Sequence, residues 1–88
     1  MTINEVVFID SLPKLDLHGF DRNSARVAIN DFIKDNQKMG NEVVLIVHGI
    51  GMGIIREACI NTLSRSKDVI DFKSVYNNRG CMLVQIKI

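Results

Sequence analysis

The stretch VVLIVHGIGMG, residues 43–53, joins an apolar strand to a histidine and a glycine-rich loop. Its first five residues are apolar and mostly β-branched, which is typical of a central strand covered on both faces. Gly49, Gly51 and Gly53 follow His48, immediately before a helical pattern. Glycine allows close approach of a ligand, and free amides at a helix N-terminus favour an anion, most often phosphate. The stretch therefore predicts a phosphate-binding loop, although GxGxG also occurs in simple tight turns.

A second strand that ends in His-Gly lies upstream, in LDLHGF at residues 15–20. Apolar and polar residues alternate up to the histidine, so a strand here would place Asp16 and His18 on one face. His18 and His48 are the only two histidines, and both precede a glycine, the first of them Gly19. A lone histidine at a strand end is often a hydrogen-bonded structural residue. The placement of both histidines at such ends favours a shared site instead.

Two amphipathic helices and two further strands are predicted around these motifs. Asp21 is a good N-cap for the first helix, and Gly40 ends it. Apolar residues recur at helical spacing in both helices: Ala25, Ala28, Ile29, Phe32 and Ile33 in the first, and Ile55, Ala58, Cys59, Thr62 and Leu63 in the second. VIDFKSVY and MLVQIKI are predicted strands, joined by a turn at NNRG. The order β-α-β-α-β-β predicts an α/β two-layer sandwich with a four-stranded mixed sheet and two helices.

The expected connections bring the polar ends of the first two strands together. Right-handed crossovers make these strands parallel, and such sheets place ligands at the carboxyl ends of their strands. Asp16, His18, Gly19, His48 and the glycine loop all lie at that end. We therefore expect them within one shallow cleft at one edge of the sheet.

Length and composition indicate one modest globular domain. The chain has 88 residues, 47% of them hydrophobic, and a net charge of +1, which excludes a strongly basic histone-like protein and an acidic solvating tail. The first 35 residues are acid-rich, and the remainder leans basic. Cys59 and Cys81 lack a CxxC spacing and are expected in the core. No signal peptide or membrane-length apolar run is evident, so we expect a reduced, cytoplasmic setting and no membrane partner.

The chain is expected to consist of a leader, residues 1–14, and one domain, residues 15–88. Pro13 falls just before the LDLHG motif and marks the end of the leader. The apolar segment VVFI, residues 6–9, is expected to form an edge strand or a flap on the core.

The two His-Gly boxes resemble those of the small MutS-related (Smr) domain family, whose hallmarks are an LDLHG box and an HGxGxG box. Here LDLHG occupies residues 15–19 and HGIGMG occupies residues 48–53, followed by IIR at the start of a helix. The resemblance covers residues 15–88 and implies the fold of the C-terminal domain of bacterial translation initiation factor three. Members of the family include endonucleases that nick DNA and, in some eukaryotic relatives, cleave RNA.

The resemblance implies functional roles for residues of both boxes, namely Asp16, His18, Gly19, His48, Gly49, Gly51 and Gly53. Arg56 matches a basic position that many members have. Many members also carry a lysine and a small hydroxyl residue or arginine at positions that this chain fills with Ile50 and Met52. The glycine-rich stretch before the family's last strand is reduced to NNRGC. These departures weaken the expectation of turnover more than that of binding.

Two histidines and one carboxylate suit phosphodiester cleavage. The reaction needs a base for the attacking oxygen, an acid for the leaving oxygen and positive groups around the phosphate, and histidine serves both proton-transfer roles near neutral pH. We expect His18 to transfer a proton, with Asp16 orienting it or holding a single divalent metal such as Mg²⁺ or Mn²⁺. His48 is expected to act as the complementary acid or as a phosphate contact. Loop amides and Arg56 would hold the phosphate, and Arg79 is either a further contact or a turn residue.

Three classes of function remain open at this point. The chain is a nucleic-acid endonuclease that nicks DNA or cleaves RNA, a nucleic-acid binding module without turnover, or a binder of a phosphorylated small molecule. The intact LDLHG box favours the first class over the second, whereas Ile50 and Met52 favour the second. A shallow glycine edge would favour a polymer over a metabolite.

Overall fold

The computed structural model contains two helices and four strands in the predicted order. They are β1 (Lys14–Asp16), α1 (Arg22–Lys38), β2 (Val43–Val47), α2 (Ile54–Arg65), β3 (Val69–Val75) and β4 (Asn78–Ile86). The structure describes residues 2–5, 11–51, 53–75 and 78–88, without the side chains of residues 78 and 79. Within these ranges, no helix combines the length and the apolar character needed to cross a bilayer.

The four strands form one mixed sheet in the order β1-β2-β4-β3. β1 pairs with β2 in parallel, while β4 lies antiparallel to both β2 and β3. The predicted α/β two-layer sandwich with a four-stranded mixed sheet is confirmed. Because β1 and β2 are parallel, their carboxyl ends open on the same edge of the sheet.

Apolar side chains cover both faces of β2, as predicted for a central strand. Val44 and Ile46 are fully buried on the face that packs against the helices, and Val43 and Leu45 are buried on the other face. The helix-facing core also contains Leu17, Ala25, Ile29, Ile33, Cys59, Leu63, Met82, Val84 and Ile86. On the second face, Cys81 and Leu83 of β4 join Val43 and Leu45 in a cluster that Ile3 of the leader packs against. The leader segment 6–9 lies outside the described residues.

Both cysteines lie in the core, as expected from their small apolar side chains. Cys59 is fully buried and Cys81 is buried on the opposite face of the sheet. Burial raises the pKa of the Cys59 thiol to about 11. The thiol therefore stays protonated near neutral pH, which is the state of an inert core residue.

Local signals define both ends of α1. The Asp21 carboxylate accepts a hydrogen bond from the Ser24 amide at 2.7 Å, and this bond lowers the pKa of Asp21. At the other end, Gly40 adopts a φ of +76° and donates its amide to the Gln37 carbonyl. Asp21 is therefore the N-cap and Gly40 ends the helix, as predicted.

The prediction that the first strand extends to His18 is wrong, because β1 ends at Asp16. The Asp16 carboxylate accepts a hydrogen bond from the main-chain amide of His18 at 2.9 Å. The Phe20 amide then donates to the Leu17 carbonyl at 3.0 Å, which closes a tight turn. Gly19 has a φ of +80°, as the third residue of a type II turn requires. These local bonds end the strand two residues early and place His18 in the turn.

The last strand begins earlier than its apolar run suggested. β4 starts at Asn78, which pairs with Val75 of β3, so most of the predicted NNRG turn belongs to the strand. The first residue of NNRG, Asn77, lies outside the described residues. Pairing with neighbouring strands satisfies main-chain groups whatever the polarity of the side chains, so a polar stretch continues the strand here.

Candidate active site

The two His-Gly turns line one cleft of about 400 Å³ at the carboxyl ends of β1 and β2. Its walls are formed by Leu17, His18, Gly19, Phe20, His48, Gly49, Ile50, Gly51, Gly53, Ile54, Ile55 and Arg56. The structure thus brings together both histidines, the glycines of both boxes and the basic residue at the start of α2. Asp16 does not line the cleft, and the side chain of Arg79 lies outside the described part of the chain.

Asp16 acts on the first turn rather than on the imidazole of His18. Its carboxylate accepts from the main-chain amide of His18, and no hydrogen bond joins it to the His18 ring within the described ranges. His18 is exposed in the turn, so its ring is accessible to a ligand in the cleft. The Asp16 carboxylate thus holds the backbone of the turn that carries His18, and it does not contact the ring.

The second His-Gly turn is anchored by β4. The amides of His48 and Gly49 both donate to the carbonyl of Gly80, at 2.8 and 3.1 Å. Gly80 is buried and stands directly before Cys81, which pairs with Val47 of β2. This role of Gly80 was not predicted from the sequence, where its one signal is the glycine at the end of NNRG.

The ring of His48 is held in one tautomer. His48 is buried, with 7% of its surface exposed, and its Nδ1 lies 2.7 Å from the Gly49 carbonyl oxygen. A carbonyl only accepts, so Nδ1 carries the proton and donates it. In the neutral ring, Nε2 then bears a lone pair. Nε2 is buried and has no hydrogen-bond partner in the described part of the chain.

The surroundings of His48 favour its neutral form. Burial lowers its pKa, the hydrogen bond to Gly49 acts in the opposite direction, and the nearby positive charge of Arg56 lowers it further. The ordinary pKa of histidine is about 6.5, so a lowered pKa leaves the ring neutral at pH 7. His48 is therefore prepared to accept a proton or a hydrogen bond at Nε2.

We expect the stability of the protein to fall as the pH drops below about 6.5, the pKa of an unfolded histidine. Because the pKa of His48 is lowered by folding, the unfolded chain binds the additional proton first. The stability that His48 contributes is complete above about pH 6.5, and it is lost as the pH falls through the pKa that His48 has in the folded protein. Thermal unfolding at about pH 7.5 and about pH 5.5 measures it.

The matched control for this pH effect is His48→Asn, because the asparagine side chain at position 48 does not titrate in this range. Hydrogen bonds from Ser24 to Asp21 and from Lys34 to Asp68 lower the pKa values of these two carboxyl groups, so the stability they contribute is lost only below the ordinary Asp pKa of about 3.9, outside this pH window. The same loss of stability in both proteins between the two pH values would contradict the assignment to His48.

The glycine loop leaves the N-terminus of α2 without a side-chain cap. Gly53, the N-cap residue, has a φ of +83°, and Gly49 has a φ of +82°. A side chain at either position would strain the backbone by about 1 to 2 kcal/mol. Gly51 has no such φ, and a Cβ there would meet open space. Its lack of a side chain therefore matters only if something approaches the loop closely.

Large apolar side chains border the opening of the cleft. Phe20, Ile50 and Ile54 are 39%, 71% and 46% exposed, and all three line the cleft. Phe20 was not recognised as a site residue in the sequence, because only the turn at Gly19 directs it to the cleft.

The described residues do not assemble a multi-carboxylate metal site. No group of three or more His, Cys, Asp and Glu side chains close enough to hold an ion occurs within the described ranges. Hard divalent cations prefer several oxygen ligands, and none of the described residues that line the cleft has a carboxylate. The donors present therefore do not fit a resident Mg²⁺ or Mn²⁺ ion.

Arg56 has recesses on both sides of the glycine loop. It lines the histidine cleft and also a neighbouring recess of about 460 Å³ that is bordered by Ser74 and Val75. The guanidinium is exposed in the first turn of α2, next to the uncapped amides. Together these groups form a positive pole at the mouth of the cleft, where an anion would be stabilised.

Both His-Gly boxes lie within a match to a known protein family. The model of the Smr domain family matches residues 15–87. Endonuclease MutS2 of Streptococcus suis is 35% identical over 77 residues, which cover 84% of this chain and 10% of that protein. Endonuclease MutS2 of Aquifex aeolicus is 33% identical over 66 residues, covering 75% of this chain and 9% of that protein. The chain thus spans about a tenth of the length of these relatives.

Solved structures show the same fold. The crystal structure of the Smr domain of Thermus thermophilus MutS2 superposes with a TM-score of 0.84 and 22% identity, covering 88% of this chain and all of that one. YdaL, a stand-alone small MutS-related protein from Escherichia coli, gives a TM-score of 0.81 and 21% identity, over 96% of this chain and 79% of that one. At these identities the likeness concerns the fold alone.

Proposed function

The chain belongs to the Smr domain family, and from this premise we propose that it binds nucleic acid and cleaves phosphodiester bonds as an endonuclease that nicks DNA, with RNA as a second substrate class. One observation carries the proposal above the others. The buried Nε2 of His48 has a lone pair and no partner among the described residues, beside a glycine loop and an uncapped helix N-terminus. Because Nε2 is buried in the free protein, the proposal includes a shift of the glycine loop on substrate binding that lets a reacting hydroxyl or water supply the missing hydrogen bond.

The residues of the cleft divide the steps of hydrolysis between them. Loop amides and Arg56 bind the phosphate oxygens and stabilise the negative charge that develops on them. His48, which the sequence suggested as the acid or a phosphate contact, is proposed instead as the base, because its lowered pKa favours the neutral ring with a lone pair on Nε2. It takes a proton at Nε2 from water, whose oxygen forms a bond to phosphorus. The bond from phosphorus to the leaving ester oxygen then breaks. That oxygen takes its proton from His18 in the imidazolium form, and exchange with solvent restores both histidines.

The openness of the cleft supports a polymer rather than a small metabolite as substrate. Ile50, Gly51 and Gly53 are all exposed, so the glycine edge does not enclose a ligand. A small-molecule site usually buries most of its ligand. Phe20 at the rim adds an aromatic surface on which an unpaired base can stack.

A binding module without turnover is the second candidate. Ile50 is 71% exposed at the rim, where a cation would otherwise stabilise the phosphate. Losing one such positive group lowers the stabilisation of the transition state more than it lowers binding. This candidate keeps the cleft and its ligand class but assigns no proton transfer to the histidines.

We expect the purified protein to nick supercoiled plasmid DNA or to cleave structured RNA. Incubation with each substrate, with added divalent metal and with EDTA, separates the two substrates and tests the metal dependence. Binding is measured in parallel and should weaken with salt, because bound phosphates release counterions. Binding without cleavage of any substrate would favour the non-catalytic module, and the absence of binding at low salt would remove both.

Gly51→Ala is the control that assigns these activities to the cleft. The added methyl group meets open space in the free protein, so the melting temperature should not change. It would stand between the loop and a closely bound phosphate, so binding and cleavage should both weaken. A variant with unchanged binding and cleavage would remove the glycine loop from the proposed site.

A further inference from the structure

We propose that a groove between α1 and α2 binds the phosphate backbone of the nucleic acid strand whose phosphodiester lies in the cleft. The groove has a volume of about 420 Å³ and is separate from the His-Gly turns. The inference rests on the proposed function of the cleft, and it adds the path that the strand takes beyond it.

Three arginines give the groove its charge. Arg22 and Arg26 come from the first half of α1, and Arg65 comes from the last turn of α2. None of the described residues that line the groove has a carboxylate. Among the described residues, an ion pair joins Lys34 to Asp68, and none of these arginines takes part in one. Three guanidinium groups thus share one groove without a neutralising partner in the described part of the chain.

The positions of Arg22 and Arg26 do not favour the stability of α1. Arg22 is the first residue of the helix, where the helix dipole favours an anion, and the first turn contains no acidic residue. The N-cap carboxylate of Asp21 is bound to the Ser24 amide and does not line the groove. Arg26 follows Arg22 by four residues, a spacing at which like charges destabilise a helix. A bound anion would turn both unfavourable interactions into favourable ones.

The groove lies close to the cleft at both helices. At the start of α1, Phe20 lines the cleft and Arg22 lines the groove. In α2, Arg56 lines the cleft and Ala58 lines the groove. The two linings share no residue, but on each segment they come within two residues of each other, which is about 7 Å of main chain. A strand with one phosphate in the cleft therefore has the groove within reach of its neighbouring phosphates.

The remaining groups suit sugar and phosphate better than bases or peptide. Asn23, Asn30 and Asn61 line the groove with exposed amides, which commonly contact phosphate and sugar. Among the described lining residues, Ala58 alone is apolar, so they offer little surface for stacking a base or burying an apolar peptide side chain. We therefore expect contacts that are independent of nucleotide sequence.

The test compares two double variants of equal net charge. Arg22→Gln with Arg26→Gln removes the groove cations, and Lys38→Gln with Lys87→Gln removes two exposed lysines outside both recesses. Each changes the net charge from +1 by two units, +1 − 2 = −1. Affinity for a single-stranded oligonucleotide of about ten nucleotides is measured over a series of salt concentrations. Nicking by the same proteins is measured in parallel.

The arginine variant should bind about tenfold more weakly or worse, the usual cost of removing a hydrogen bond to a charged group. The slope of log affinity against log salt should decrease by about 0.7 for each arginine. The lysine variant should retain the wild-type values. A dinucleotide, too short to leave the cleft, should bind both variants alike. The arginine variant should melt at or above the wild-type temperature, because a repulsion is removed.

Failure of this inference and failure of the proposed function give different results. If the wild type binds in a salt-dependent way and the arginine variant has the same slope of log affinity against log salt, the groove does not bind the backbone. The proposed function of the cleft would be unaffected. Equal losses in the arginine and lysine variants would also overturn it, since they indicate a general effect of charge. If the wild type does not nick but the arginine variant binds more weakly, the proposed nuclease activity is refuted and backbone binding in the groove is supported.

Discussion

His48→Asn is expected to lower the rate of nicking by roughly 100- to 10,000-fold, the usual loss when a positioned acid or base is removed. The asparagine amide can still donate to the Gly49 carbonyl from the place of Nδ1, which lies 2.7 Å from that oxygen. It has no counterpart to Nε2, the atom left without a partner in the described structure. Single-turnover rates and oligonucleotide affinity, measured under one salt condition, separate the two effects.

Binding by His48→Asn should change little, because the loop amides and Arg56 remain in place. The variant should also fold, since the hydrogen bond to Gly49 and the main-chain bonds to Gly80 are retained. A rate equal to that of the wild type, with contaminating nuclease excluded, would refute the assignment of the base. Equal losses of rate and affinity would indicate that His48 contacts the phosphate and does not transfer a proton.

His18→Ala should also reduce the nicking rate by roughly 100- to 10,000-fold while leaving stability almost unchanged. His18 is exposed in the first turn, and its side chain has no hydrogen bond in the described part of the chain. Its removal therefore costs little in the folded state but deprives the leaving oxygen of its acid. Cleavage of a substrate with an activated leaving group, which needs no acid, should be affected much less. Equal effects on both substrates would contradict the acid role.

Asp16 variants are the control for the role of the first turn. Asp16→Asn keeps an oxygen that can accept the His18 amide, now bound at 2.9 Å, whereas Asp16→Ala removes it. If Asp16 acts by holding the turn, Asn should retain most of the nicking rate and Ala should lose it. Similar losses in both variants would show that the negative charge itself matters, at the imidazole or at a metal ion.

The fold was predictable where local chemistry and tertiary packing require the same residues. Asp21 and Gly40 limit α1 through hydrogen bonds within a few residues, so the sequence contains both signals. The apolar run in β2 predicts a strand covered on both faces, because each successive side chain points to the opposite face. The parallel pairing of β1 and β2 follows from the handedness of the crossover.

The first turn shows where a pattern alone misleads. Alternating polarity in LDLH predicted a strand through His18, but the Asp16 carboxylate competes for the His18 amide and ends β1. The error did not remove His18 from the cleft, since the turn carries it to the same edge. It did change the contact assigned to Asp16, whose carboxylate accepts a hydrogen bond from the main-chain amide of His18 and not from its ring.

The order of elements and the glycine loop before α2 could be predicted from the sequence, because neighbouring residues along the chain set them. The edge at which both His-Gly boxes lie could also be predicted, because the crossover between β1 and β2 has a preferred hand. Only the tertiary structure decided the state of His48, which depends on burial and on the Gly49 carbonyl. It also decided the groove, where Arg22 and Arg26 of the acid-rich half meet Arg65 across two helices. Charge counted along a chain averages over residues that face different directions, whereas an electrostatic site depends on distances in space, and packing sets those distances.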